Sequence, residues 1–280
     1  MLQKSQRPSL YTYFEPVPEI SGWYDASVLL DIWGSAWSNA GWRPVVLGRS
    51  VAETHPNWCC FSETVSAFPT KNSLGFDAAC FHRWLAMAVI GGGLLVDIDV
   101  LPGPQMTLRR VKPPSSPTKL VIHSIDFLEH NRACPCIVQG SARAYEAACE
   151  AFLVAGRALK ETVSHVSDQE LLRAGCVEFE IRADVPTFGA SGWESAFAIH
   201  YKTDSLKGLK GTKSERIAAA APTLPQTSRA PGGYDLNHEI EQNRAHGPNV
   251  KPCVCVFSGS APPRQLREIR HPLVPSDNFN

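Results

Sequence analysis

The sequence predicts an α/β fold, a mixed and mostly parallel sheet flanked by helices, followed by a poorly structured C-terminal tail. Three observations predict it. A strand–helix–strand order occupies residues 9–47, and strands joined by a helix in so short a span pair in parallel through a right-handed crossover. A second unit, from Leu74 to Pro104, reads as a helix, a glycine stop and a short apolar strand. Beyond Leu206 there are no more tryptophans, and Lys, Gly, Ser and Pro accumulate, a composition with too little apolar surface to order itself. The domain is therefore placed at residues 1–221 and the tail at 222–280.

Taken in order, Ser9 to Phe14 is rich in β-formers and gives the first strand, with Pro16 and Pro18 marking the loop after it. Asp25 to Asn39 is helical. Its Leu29, Trp33 and Trp37 recur at i, i+4 and i+8, a stripe that belongs in a core, and Gly41 ends it. Arg43 to Leu47 is the second strand, and His55 to Lys71 a short helix and loop. Asp77 reads as the N-cap of the next helix, on which Cys80, Trp84 and Met87 form one apolar line and Phe81, Leu85 and Ala88 another. Gly91, Gly92 and Gly93 stop that helix. Leu94, Leu95 and Val96 are too short a run for a second helix and read as a strand, which Pro102 and Pro104 keep from extending.

Further along, Lys119 to Ser124 and Cys136 to Gly140 are strands, and Ser141 caps a helix running to about Ser164. Ser167 or Asp168 caps a short helix that Leu171 and Leu172 enter. Ser195 to Tyr201 is a strand with Phe197 and Ile199 on one side and His200 near its end. Residues 214–221 form one more helix.

The chemistry gathers where the third strand ends. Asp97 and Asp99 follow it with one residue between, and side chains two apart on an extended chain share a face. Left unpaired, each carboxylate raises the pKa of the other. A divalent cation removes that conflict, and ligation by oxygen alone suits magnesium or manganese. Open α/β sheets place their ligands at the carboxyl ends of strands, which is where this pair lies.

Composition narrows the partners. Lys+Arg and Asp+Glu are equal at 27 each, so no net field attracts nucleic acid or an anionic membrane. No run approaches the ~20 apolar residues of an integral membrane segment, and the opening MLQKSQRPSL lacks a signal region, so a cytoplasmic protein is expected. The basic loop carrying Arg109, Arg110 and Lys112 reads as solvated. Nine cysteines are an odd number for a disulfide framework. Cys59-Cys60, Cys134-x-Cys136 and Cys253-x-Cys255 are close pairs, but their spacing is not the one commonest in zinc sites, and buried free thiols are expected.

Asp77, Arg83-Trp84-Leu85, Gly91-Gly92-Gly93 and Asp97-Ile98-Asp99-Val100 together resemble the DXD-containing glycosyltransferases of the GT-A fold. The likeness is to the group that includes the yeast initiating mannosyltransferase and the clostridial glucosylating toxins. Leu95 stands where that group usually has an aromatic, and Cys80 where its helix acid would fall, with Asp77 one turn earlier. The resemblance implies a GT-A-like (Rossmann-like) fold, a nucleotide-diphosphate sugar as donor, and Mn2+ or Mg2+ held by Asp97, Asp99 and His200. It implies that Thr12 and Tyr13 meet the nucleotide, that Asp77 and Arg83 contact the donor, and that Ser205 assists at the diphosphate. Asp168 would hold sugar hydroxyls or position the acceptor, which is an unspecified glycan, lipid, protein or small molecule.

The function so implied is transfer of a sugar to an acceptor hydroxyl with retention at the anomeric carbon. Two readings compete with it. A phosphatase of the haloacid-dehalogenase type also ends an apolar strand in D-x-D, using the first Asp as nucleophile and the second as acid/base. Its motif belongs on the first strand, whereas a whole strand–helix–strand unit precedes Asp97. The other is a non-catalytic protein that retains the fold.

Overall fold

The computed structural model describes residues 7–17, 26–104, 111–124, 134–191, 193 and 196–221. The expected tail, Asp25, Pro18, Arg109, Arg110 and the Cys253-x-Cys255 pair lie outside the described residues. The leading half of the chain runs β1 (Ser9–Tyr13), α1 (Ala26–Asn39), β2 (Arg43–Leu47), α2 (Arg49–Ala52), α3 (Trp58–Ser66), α4 (Leu74–Val89), β3 (Gly92–Val96) and β4 (Val100–Pro102), which is the predicted order with α2 and β4 added. Next come β5 (Leu120–His123), β6 (Ile137–Ser141), α5 (Ala142–Leu159), α6 (Asp168–Arg173), β7 (Phe179–Arg182), β8 (Ala198–His200) and α7 (Lys213–Ala220).

Six strands form one mixed sheet in the order β2-β1-β3-β6-β5-β7. β1 pairs in parallel with β2 and β3, and β5 with β7, while β6 runs antiparallel between β3 and β5. Both faces of this sheet are covered, and the alternation within β3 shows how. Leu95 enters one buried cluster, with Phe81, Trp84, Tyr145 and Phe152 of α4 and α5. Its neighbours Leu94 and Val96 enter the other, with Trp33 and Trp37 of α1. A strand buried on both faces must be apolar at consecutive positions, which is why Leu-Leu-Val reads as an unbroken run. The tryptophan stripe is core, as its spacing predicts, and Trp37 Nε1 also donates to the Val100 carbonyl at 3.0 Å.

Several local readings need correction. The N-cap of α4 is Ser73, whose hydroxyl accepts from the Phe76 amide, so Asp77 lies inside the first turn. A short polar residue just ahead of the apolar run was the better capping candidate. Gly91 does end α4 with a positive φ of 95°, but Gly92 and Gly93 already belong to β3. The chain leaves its apolar strand at Val96, ahead of the two acids. After the two acids it makes a second strand, β4, antiparallel to β8 in a separate two-stranded sheet. Pro102 is tolerated as the last residue of that strand. The 55–71 region follows a short helix, α2, and contains α3, and α5 ends at Leu159 rather than near Ser164. β7, which the sequence reading lacks, forms the sheet edge beside β5. Among the described residues no helix is long and apolar enough to cross a membrane.

Candidate active site

Asp97 leaves the end of β3 and Asp99 precedes β4, so the D-x-D segment is the connection between two sheets. It is a turn, closed by the Val100 amide donating to the Asp97 carbonyl at 3.0 Å. The extended geometry expected from the sequence is therefore replaced by a tight reversal. Two strands run back along this turn from elsewhere in the chain. β6 pairs antiparallel with β3, Val96 opposite Ile137, which sets Cys136 beside Asp97, and the Asp97 amide donates to the Cys136 carbonyl at 2.8 Å. β8 pairs antiparallel with β4, Val100 opposite His200, and the Tyr201 amide donates to the Asp99 carbonyl at 2.8 Å. Registry alone thus brings residues 134–136 and 200 to the two acids.

Each acid has its own cation. Arg83, reaching inward from α4, donates from Nη1 to Asp97 Oδ1 at 2.8 Å and from Nη2 to Asp168 Oδ2 at 2.5 Å. Trp84 Nε1 donates to that same Asp168 oxygen at 3.0 Å. Asp168 is not the cap of α6. Ser167 caps it, accepting from the Glu170 amide, so the Asp168 carboxylate is released to face α4. Asp99 accepts from Lys213 Nζ of α7 at 2.7 Å and lies 3.5 Å from His200 Nε2. Lys213 was not anticipated; only the capping box of Thr212 and Glu215 ahead of the last helix pointed to that stretch.

The electrostatics follow from burial and these pairings. Burial, reinforced by the neighbouring charge of Asp99, pushes the Asp97 carboxyl up against the pull of Arg83. At Asp99 burial acts in the same direction but is outweighed by His200 and Lys213, which hold it below the usual carboxylate range. Burial opposes charge on His200, yet Asp99 and Cys134 raise it well above the ordinary histidine value. Arg83 stays charged through Asp168 and Asp97 despite its burial. Among the described residues its buried Nε has no hydrogen-bond partner, a donor left over inside the site.

The remaining predicted residues are distributed around this centre. Thr12 is buried at the end of β1, and Tyr13 donates from its hydroxyl to Glu15 at 2.6 Å. Asp77 takes hydrogen bonds from Thr70 and Asn72 and lies 3.6 Å from His165, holding the loop before α4. Ser205 donates to the Lys202 carbonyl at 2.8 Å. Lys112, from the basic loop, offers its carbonyl to Arg182. The cysteines among the described residues form no disulfide; Cys136 and Cys149 are buried, Cys59 is exposed and the others are half-buried. One grouping was missed: Cys134, Cys136 and His200 place their ligand atoms within 4.8 Å of one another, the only such trio of His, Cys, Asp or Glu among the described residues. The Cys-x-Cys spacing was its signal; the histidine partner could come only from the β4–β8 register.

Residues 1–109 match a family model described as a domain of unknown function (DUF8765). No curated protein sequence matches the chain. Among solved structures, the chain is similar to a glycosyltransferase involved in glycosylation of the major capsid of PBCV-1, at 10% identity and a TM-score of 0.45, covering 76% of this chain and 99% of that one. It is similar to the apo form of the glycosyltransferase GlyE of Streptococcus pneumoniae TIGR4, at 11% identity and a TM-score of 0.47, spanning 60% of that chain. Mouse xyloside xylosyltransferase 1 aligns at 10% identity, with a TM-score of 0.44 and coverage of 71% and 99%.

Proposed function

We propose that the chain is a metal-dependent glycosyltransferase of the GT-A type, moving a sugar from a nucleotide-diphosphate donor to an acceptor hydroxyl with retention. The observation that carries this reading is the Arg83 fork. It ties the first acid of the D-x-D turn to Asp168, an acid on a separate helix, at the carboxyl end of a central strand. An α/β sheet collects its ligand contacts at such a strand end.

The donor set suits a divalent cation. Asp97 and Asp99 flank one turn, and oxygen ligands of this kind are those magnesium and manganese take. Asp97 and Asp99 would hold the ion; His200, the third ligand the resemblance implies, lies 3.5 Å from Asp99 through Nε2, and its ligand atom groups with Cys134 and Cys136. When bound, such an ion supplies charge neutralisation to a departing nucleoside diphosphate. The chain's own residues do the rest. Arg83 fixes the direction of Asp97 and keeps a buried Nε donor for a sugar or phosphate oxygen. Asp168, anchored by Arg83 and Trp84, stands ready to accept from sugar hydroxyls. Thr12 and Tyr13, at the end of β1, meet the nucleotide, and Ser205 lies on the diphosphate side.

The test is a panel of nucleotide sugars with Mn2+, following release of nucleoside diphosphate beside a generic phosphatase substrate. Release from a donor, lost in Asp97→Asn and Asp99→Asn variants that still fold, supports the reading. Full metal-dependent release by Asp99→Ala, or turnover of the phosphatase substrate alone, overturns it.

A further inference from the structure

We propose that Cys134, Cys136 and His200 form a second metal site, a three-ligand cradle for a thiophilic divalent cation of the zinc class set directly against the D-x-D turn. This site does not need the transferase reading to hold: Cys134 and Cys136 lie outside the ligand set that reading implies, and His200, which belongs to it, is used here through the ring nitrogen that faces sulfur and not the one that faces Asp99.

The geometry is close to what zinc requires. Tetrahedral zinc with Zn–S near 2.3 Å and Zn–N near 2.0 Å keeps its ligand atoms about 3.5–3.8 Å apart. Here Cys134 Sγ lies 3.9 Å from His200 Nδ1, and all three ligand atoms fall within 4.8 Å of one another. A small side-chain rotation closes that gap. The backbone beneath them is fixed. Cys136 precedes β6 and is tied to Asp97 through its carbonyl, while the His200 amide donates to Pro186 O and the His200 carbonyl accepts from Phe188. Strand pairing therefore holds the Cys136 and His200 backbones, and Cys134 stands two residues ahead of Cys136 in the irregular segment leading into β6.

The outer contacts fit as well. With Nδ1 turned to sulfur, the other ring nitrogen of His200 points at Asp99, 3.5 Å away. A metal-bound imidazole normally donates its second N–H to a carboxylate in this manner, which fixes the ring and strengthens the ligand. His200 then orients Asp99 from behind. Cys134 is part-exposed, so a fourth position is open to solvent or to a ligand, the arrangement of zinc sites with three protein ligands.

Charge and softness keep two cations compatible at this distance. Two thiolates neutralise one Zn2+, so the cradle adds no net charge beside the carboxylates. Sulfur favours zinc, while hard oxygen favours magnesium or manganese, so each ion selects its own ligands.

The experiment uses the full chain, metal-stripped and kept reduced. Zn2+ alone is titrated against a competing chelator, and Co2+ is used as the spectroscopic substitute. The expected result is one Zn2+ per chain and, with Co2+, a sulfur-to-metal charge-transfer band with tetrahedral d–d absorption. Cys134→Ser, at a part-exposed position, should weaken zinc by at least about 100-fold, more than loss of an outer contact costs. Asp97→Asn should leave zinc affinity unchanged, which separates this site from the carboxylate pair and from any failure of the transferase reading. Zinc retained by Cys134→Ser/Cys136→Ser, no charge-transfer band in the unmodified protein, or a Cys134–Cys136 disulfide under these reducing conditions overturns the proposal. The cobalt spectrum of the unmodified chain decides the question even if the double variant fails to fold.

Discussion

Arg83 and Asp168 stand 85 positions apart in the sequence and 2.5 Å apart in the fold. Trp84, the next residue on α4, donates to the same carboxylate oxygen, so one helix turn holds a buried acid from two sides. The other arm of the Arg83 fork reaches Asp97. One guanidinium therefore sets the positions of two acids that come from separate elements, Asp97 after β3 and Asp168 on α6.

Removing that guanidinium leaves the buried Asp168 with the Trp84 N–H as its one side-chain donor among the described residues. Arg83→Ala should cost about 3–5 kcal/mol, the penalty typical of breaking a buried pair from one side. Arg83→Lys keeps the charge but not the planar fork, and should fall between Ala and the parent. Asp168→Asn, which retains shape and an acceptor oxygen, should cost less than Arg83→Ala. Urea unfolding of the singles and the double variant gives the coupling, expected at about 1–3 kcal/mol. A coupling near zero would show that the fork is not what holds the site together.

The glycine run should separate two physical costs. Gly91 and Gly92 both adopt positive φ, 95° and 84°. Among the described residues a Cβ on Gly91 meets nothing within 4 Å, whereas on Gly92 it would lie 2.5 Å from the Gly140 carbonyl oxygen on β6. Gly91→Ala then carries the left-handed penalty alone, about 1–2 kcal/mol. Gly92→Ala adds a backbone collision at the β3–β6 pairing, for a total of roughly 3–5 kcal/mol. Thermal denaturation of the two variants should show the second melting well below the first. Equal losses would mean that β6 can shift freely, and with it the residues that flank Asp97.

What could be read in advance divides along the range of the interactions. Local signals carried β1, α1, β2, α4 and β3, because apolar spacing and glycine stops are written within one element. Trp33 and Trp37 were core on spacing alone. The Asp77 cap failed because Ser73 competes for the same role and sits nearer the apolar run. β4 and β7 are three and four residues long and gain their stability from partners, β8 and β5, that lie far away in sequence. For the site, the residue types at 83, 97, 99, 168 and 200 were legible, but their pairings were not. That Cys136 lies beside Asp97 and His200 beside Val100 is a matter of strand register, which no local pattern encodes.

Lys213 is the residue whose removal should favour a bare cation. Its ammonium lies 2.7 Å from Asp99 Oδ2, so it competes for the carboxylate that a divalent ion needs. The pair is part-exposed, and such pairs contribute no more than about 1 kcal/mol, or up to about a fivefold change in affinity. Lys213→Met should therefore tighten Mn2+ binding by the chain alone, without nucleotide, by up to that factor. Calorimetric titration of both proteins measures it directly. Weaker Mn2+ binding in the variant would assign Lys213 to supporting the site instead of guarding it.

Glu15 should carry an acid-sensitive part of the stability. It leaves β1 and meets Tyr13 at 2.6 Å, His82 at 3.1 Å and Arg49 at 3.5 Å. Burial by itself would raise its carboxyl, but hydrogen bonds from His82 and Tyr13 and the charges of His82 and Arg49 bring it below its usual 4.5. A carboxyl whose folded value is depressed binds fewer protons in the folded state than in the unfolded state. Its contribution is then fully present above the unfolded pKa and is lost as the pH falls through the folded one. Urea midpoints of the parent and Glu15→Gln, measured from about pH 7 down to about pH 3, should differ by a constant amount above 4.5 and converge below it. Tyr13, Arg49 and His82 face this carboxyl and Glu53 acts on Tyr13 and Arg49, so Tyr13→Phe should shrink the gap at neutral pH by removing one donor to the charged form. A gap that widens on acidification would mean that Glu15 is stabilised in its protonated form, and that its hydrogen bonds run in the opposite sense to those described.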